Sequence, residues 1–277
     1  MRELVRSDRR RRTVPAMIAM LLAVAGCSTT RGGDEEVGKY PPWLIAAAEP
    51  AAPAIGFAIS RVQWREGLLK NDEALAAATA RLRPLDVLLF SNKGRLSGHT
   101  GAGIFGHSAV YLGSERELRA MGLWNDPTIV PYHEAIRAGR SIVESAQRHG
   151  TALAPVSHIV ETDRLVILRP KVDAARRRSA IRGFFGMVGR RFDHHYRLSE
   201  QEHVFCTELI DIGLPELNLK RRTTYGREVI LPDDMASAAA RGRGRLAFVG
   251  YLHADRTGWR WESPADLADQ IGRATGK

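Results

Sequence analysis

The chain has 277 residues, 44% of them hydrophobic and 26% charged, with a formal charge of +10. The composition is that of an ordinary globular protein, and the length suits one large domain or two small ones. No basic stretch is interleaved with aromatics, so the positive charge by itself does not point to a nucleic-acid partner, and none is expected.

The first residues read as a leader. Arg9-Arg10-Arg11-Arg12 is followed by an apolar run over 16–25 and then by Gly26-Cys27. A basic segment, a short apolar segment and small residues before a cut site make a secretory signal over 1–26. Val24-Ala25-Gly26-Cys27 resembles the bacterial lipobox, whose cysteine is acylated, so Cys27 is the expected lipidation site. The residue after it is Ser28 rather than aspartate, which by that resemblance favours the outer membrane, facing the periplasm. Several acyl chains anchor a protein without a transmembrane helix, and no later stretch reads as long enough to span. Removing 1–26 takes away six arginines and two acids and leaves a charge of +6. Residues 27–60, rich in Gly, Pro and Ala, read as a lipidated cysteine and a tether, and 61–277 as one folded domain.

Within that domain the apolar spacing over 61–82 predicts a helix stopped by Pro84. Leu85 to Phe90 reads as a buried strand. Residues 91–106 hold five glycines and read as a mobile loop. Strands are predicted at 107–112, 141–146 and 165–169, and short helices at 116–121 and 132–138. A basic helix follows over 174–190. Arg191-Phe192-Asp193-His194-His195-Tyr196 reads as a polar, aromatic loop. Ser199-Glu200-Gln201-Glu202 resembles a capping box, which would start a helix carrying Cys206 in its second turn and ending near 212. A strand near 228–231, a short helix after Pro232 and a strand over 246–252 complete the chain. Strands, then the cysteine helix, then more strand point to an α+β fold with a mostly antiparallel sheet packed against helices.

The sequence has two cysteines. Lipidation of Cys27 would leave Cys206 as the only thiol, either buried and inert, paired with another molecule, or reactive. No His-Glu-x-x-His pattern and no cysteine cluster argues for a metal, and the glycines of 94–106 match no nucleotide-binding pattern, so neither metal nor cofactor is expected.

Leu85-Asp86-Val87-Leu88-Leu89-Phe90, Gly106-His107-Ser108-Ala109-Val110-Tyr111-Leu112-Gly113, Ile142-Val143-Glu144-Ser145-Ala146, Phe192-Asp193 and Phe205-Cys206-Thr207-Glu208-Leu209-Ile210 together resemble the circularly permuted papain-like amidases of the YaeF/YiiX type. These are relatives of NlpC-type cell-wall peptidases and of lecithin:retinol acyltransferase. The histidine strand precedes the cysteine helix here, as in the permuted group. The resemblance covers roughly 80–252 and implies a permuted papain-like fold. It implies Cys206 as nucleophile, its thiolate favoured by a helix N-terminus. It implies His107 as base and Glu144 as the carboxylate that orients the imidazole, with Asp163 as a rival. The Cys206 N–H is the natural oxyanion donor and Tyr111 is a candidate for the second. Asp193 and His195 are candidates for the cleft, and Asp86 reads as structural.

The expected activity is hydrolysis of an amide bond, in a peptidoglycan stem peptide or in an acyl or lipid conjugate, by a lipid-anchored envelope enzyme. Acyl transfer, and a non-catalytic envelope-binding module, are the alternatives.

Overall fold

A computed structural model describes residues 41–100, 103–198, 202–224 and 226–275. The leader, Cys27 and Ser199-Glu200-Gln201 lie outside the described residues.

Seven strands form one antiparallel sheet. They are β1 (Val87–Ser91), β2 (His107–Tyr111), β3 (Ile142–Ala146), β4 (Gly150–Ala154), β5 (Arg164–Pro170), β8 (Leu246–Asp255) and β9 (Gly258–Glu262). Their spatial order is β4-β3-β2-β1-β5-β8-β9. β1 and β2 pair Val87 with Val110 and Phe90 with His107, and β2 and β3 pair Ala109 with Glu144. Successive side chains alternate faces, and both faces are apolar. Val87, Leu89, Val110, Val143, Val166 and Leu168 pack with Phe184, Phe185, Leu209, Ile210, Met235 and Leu267. Leu88, Ala109, Ile142, Leu165, Ile167 and Leu252 pack on the other face with Leu69, Ala74, Ala78 and Ile159. Burying each of the larger side chains contributes about 1.5–3 kcal/mol. The sheet is therefore the middle layer, with helices on both sides.

The first face carries α7 (Ala174–Gly186), α8 (Cys206–Gly213), α9 (Pro232–Ala240) and α10 (Pro264–Thr275). The other carries α3 (Asp72–Thr79) and a 3-10 turn over Val156–Val160. Short helices α5 (Glu115–Ala120) and α6 (His133–Arg137) link β2 to β3. The predicted strand near 228–231 is β7 (Arg227–Ile230), which pairs with β6 (Arg221–Thr224) in a separate hairpin rather than in the main sheet.

Two expectations fail for identifiable reasons, and part of the segment read as tether is helical. The helix predicted over 61–82 exists only as α3. Asn71 caps it, its side chain accepting the Ala74 N–H at 2.7 Å. Before it the chain is extended or turning, because Gly67 lies against the backbone of Thr162, where a Cβ would come within 2.2 Å of its nitrogen. Arg65 pairs with Asp163 there through two hydrogen bonds of 2.6 and 2.8 Å. The stretch over 91–106, expected to be a mobile loop, is pinned where it is described. Ser97–Thr100 is helical (α4), Phe105 is buried, and the Ile104 and Phe105 N–H groups both donate to Asp233 at 2.8 Å. Residues 41–61, read as tether, hold α1 (Pro42–Ala48), a 3-10 turn (Glu49–Ala51) and α2 (Ala52–Arg61).

The run Trp43–Arg61 is long and apolar enough to cross a membrane by length and composition alone, contrary to the sequence reading. Glu49 sits in it and pairs with His195 at 3.0 Å, with Arg197 at 3.5 Å and with Arg227. Those charges hold the run against the domain.

Candidate active site

The thiol comes first because its helix decides its chemistry. α8 starts at Cys206 itself, not a turn earlier as the sequence predicts. The residues before it are extended. Val204 N–H donates to the Arg191 carbonyl at 2.9 Å, and the Ser145 hydroxyl donates to the Val204 carbonyl. Phe205 then caps the helix, its N–H donating to the Glu208 carboxylate at 3.4 Å. Cys206 thus sits in the first turn, where N–H groups have no acceptor within the helix and the dipole favours a thiolate.

His107 opens β2. Its ring stacks on Phe90, the directly paired residue of β1, with centroids 5.8 Å apart. Glu144 pairs with Ala109, two residues on, so His107 and Glu144 are diagonal neighbours on one sheet face. His107 Nε2 lies 2.7 Å from Glu144 Oε2. The imidazole also hydrogen-bonds Cys206, and Nδ1 is the nitrogen left for the sulfur. The structure therefore brings Cys206, His107 and Glu144 into one chain of contacts.

Charge holds that chain together. Glu144 is buried, its side chain 2% exposed. Burial resists its charge, but hydrogen bonds from His107, His149 and His158 outweigh that and hold its carboxyl well below the usual range. His149 Nε2 and His158 Nδ1 lie 3.5 and 3.4 Å from Oε1. Burial likewise opposes the His107 cation, yet hydrogen bonds to Cys206 and Glu144 raise its pKa to about 10. The Cys206 thiol is lowered: burial resists, and the hydrogen bond and charge of His107 prevail, with Ser108 adding to them. A thiolate–imidazolium pair is the state these contacts favour.

Other expected residues lie elsewhere or serve differently. Tyr111 shares the His107 face but stands four residues along the strand, about 13 Å away. Its hydroxyl donates to Glu117 at 2.6 Å and is buried, so it cannot reach an oxyanion beside Cys206. The tyrosine near the sulfur is Tyr196. It adopts φ 53°, and its ring lies 5.2 Å from Phe205; desolvation of the hydroxyl and the charge of Cys206 raise its pKa, although the residue as a whole is 37% exposed. Asp193 is buried and accepts the N–H of His195 at 2.7 Å and that of Arg197, which fixes the loop. His195 is turned to Glu49. Asp163 is occupied by Arg65 and by the Leu68 and Lys93 N–H groups. Asp86 is fully buried, takes Arg169 through 2.8 and 2.7 Å bonds, and caps the Arg83 N–H. Among the described residues no group of three or more His, Cys, Asp or Glu is placed to hold a metal ion.

The sequence reading missed His149, His158 and Ser145. His149 reaches Glu144 because β3 turns directly into β4, a strand the reading did not predict. His158 comes from a 3-10 turn that no periodicity marks.

No curated protein and no solved structure matches the chain. Residues 81–254 match the family described as permuted papain-like amidase enzyme, YaeF/YiiX. That match spans more than half of the sequence and contains Cys206, His107 and Glu144, so the chain belongs to this family and is an enzyme of the cysteine amidase or peptidase type.

Proposed function

We propose that the chain is a cell-envelope thiol hydrolase that cleaves an amide bond through Cys206, His107 and Glu144. The contact chain from sulfur to imidazole to buried carboxylate carries this reading. The Cys206 thiolate attacks the carbonyl carbon, and the carbonyl oxygen takes the negative charge. The N–H of Cys206, at the start of α8, donates to that oxygen. The His107 imidazolium then gives its proton to the leaving nitrogen as the C–N bond breaks, which leaves a thioester on Cys206. Water attacks the thioester, His107 takes its proton, and the acid leaves as the thiolate re-forms. Glu144 stays ionised throughout, holds the ring and stabilises its cation. Substrates in keeping with the expected envelope location are stem-peptide amides of peptidoglycan and acyl or lipid amides. Lipidation of Cys27, which the leader pattern supports, would place the enzyme on the outer membrane facing the periplasm.

The test is intact-mass spectrometry of the chain mixed with N-acyl amides and with peptidoglycan fragments. A transient mass increase at Cys206, with free amine released and both lost in Cys206→Ala, is the expected result. A product carrying an added amine acceptor in place of water would make the enzyme an acyltransferase. Release of amine that survives Cys206→Ala would overturn the mechanism. Labelled fatty acid incorporated by the wild type and not by Cys27→Ser tests the anchor.

A further inference from the structure

A cavity of about 520 Å³ lies beside the triad carboxylate, lined by Gln147 to Gly150, by Gly189 to His195, by His203 and by Pro53 of α2. Its position is set by the same elements that set the triad. His149 touches Glu144 Oε1, Gln147 follows β3, and His203 precedes the cysteine helix by three residues. The volume falls in the range of small-ligand pockets.

The charge on its walls is one-sided. Arg148, Arg190 and Arg191 are among its lining residues, and among the described residues none of the three has an ion-pair or side-chain hydrogen-bond partner. Elsewhere Arg65, Arg169, Arg222 and Arg260 each pair with a carboxylate. The one carboxylate on the walls, Asp193, is buried and turned to backbone N–H groups. His149 adds to the positive side, its pKa raised by its bond to Glu144. Guanidinium groups present paired donors that match the oxygens of a carboxylate or phosphate, and three arginines without a carboxylate partner among its lining residues leave the cavity short of negative charge.

We infer that this cavity binds an oxyanion group, a carboxylate or a phosphate, carried by the substrate. That the anion belongs to the substrate rests on the thiol-hydrolase reading. That the cavity binds an oxyanion does not. The substrate class is then narrowed to amides that carry an acidic substituent, and neutral amides are poor substrates.

Calorimetric titration of the full chain with glutarate and, separately, with inorganic phosphate tests this. Saturable binding of either is expected, weakened at least tenfold by Arg148→Gln with Arg191→Gln, and less by Arg148→Lys with Arg191→Lys. Arg148 and Arg191 are exposed, so the variants are expected to melt as the wild type does. Arg241→Gln with Arg243→Gln, exposed and not among the residues that line the cavity, should leave binding unchanged. Tighter phosphate or tighter glutarate decides which group the cavity prefers. No saturable heat with either anion, or equal weakening by the Arg241 and Arg243 pair, overturns the inference. Alkylation of Cys206 in the same wild-type preparation judges the thiolate–imidazolium reading separately, since anion binding does not require it.

Discussion

β2 carries a ring at each end of one face, and each ring is bonded to a glutamate: His107 to Glu144 at 2.7 Å and Tyr111 to Glu117 at 2.6 Å. The bonds look alike, but their surroundings differ. Glu144 is on the next strand, buried, and faced by two further histidines. Glu117 is in α5 and also takes the Ser114 N–H and hydroxyl, so it closes a capping box. The His107 end meets the start of the cysteine helix. The Tyr111 end meets the start of a short surface helix. A place on a strand face therefore does not make a functional group. What neighbouring elements bring to that place does.

Substitutions at the two ends should separate them. The largest effect in this comparison belongs to Glu144→Gln, which removes the charge that holds His107. Amide turnover should fall by roughly 10²–10⁴-fold, as when a triad carboxylate is replaced elsewhere. The same variant tests stability. Glu144 is held below its unfolded pKa, so its contribution is present above about pH 4.3 and is lost as pH falls through its folded value. Thermal melts of wild type and variant should differ at neutral pH and converge in acid. His107 works in the opposite sense: its raised pKa stabilises the fold fully below about pH 6.5, and that contribution is lost as pH rises through about 10. The neutral-to-alkaline melts should show that decline in the wild type.

Ser145→Ala is expected to have a smaller effect. Ser145 faces away from Glu144 on the same strand and ties the Val204 carbonyl to β3. Its loss should cost about 1–2 kcal/mol in denaturant unfolding, since it leaves a buried carbonyl with only the long 3.5 Å bond from the Asp193 N–H. Turnover should also fall, because the cysteine helix is then less firmly set against β3. Tyr111→Phe should do least. It removes one hydrogen bond, about 1 kcal/mol in the same unfolding measurement, and should leave the alkylation rate of Cys206 unchanged. A large loss of Cys206 reactivity in Tyr111→Phe would erase the distinction between the two ends.

The central strands were legible because they are buried on both faces. Val87 to Leu89, Ile142-Val143 and Leu165 to Leu168 are apolar runs that no helix pattern fits. β4 and β9 are the two edges of the sheet. Gly150-Thr151-Ala152 and Gly258-Trp259-Arg260 mix small, polar and aromatic residues, and the sequence reading passed over both strands. The site was legible where residue type and local element coincide, as with His107 opening a strand and Glu144 inside one. It was not legible where a turn supplies the group. Nothing local marks His149 or His158 as a partner of Glu144, since a tight turn and a 3-10 turn carry them in. The start of α8 was misread because the capping pattern at 199–202 precedes a segment whose backbone pairs with Arg191 and Ser145 instead of forming a helix.

The most direct test is the pH dependence of Cys206 alkylation by iodoacetamide in the wild type and in His107→Ala. The account predicts a wild-type rate that persists well below pH 7, because His107 keeps the sulfur ionised, and a variant whose rate rises only near the free-thiol value of about 8.5. Superimposable profiles, both rising near that value, would contradict it.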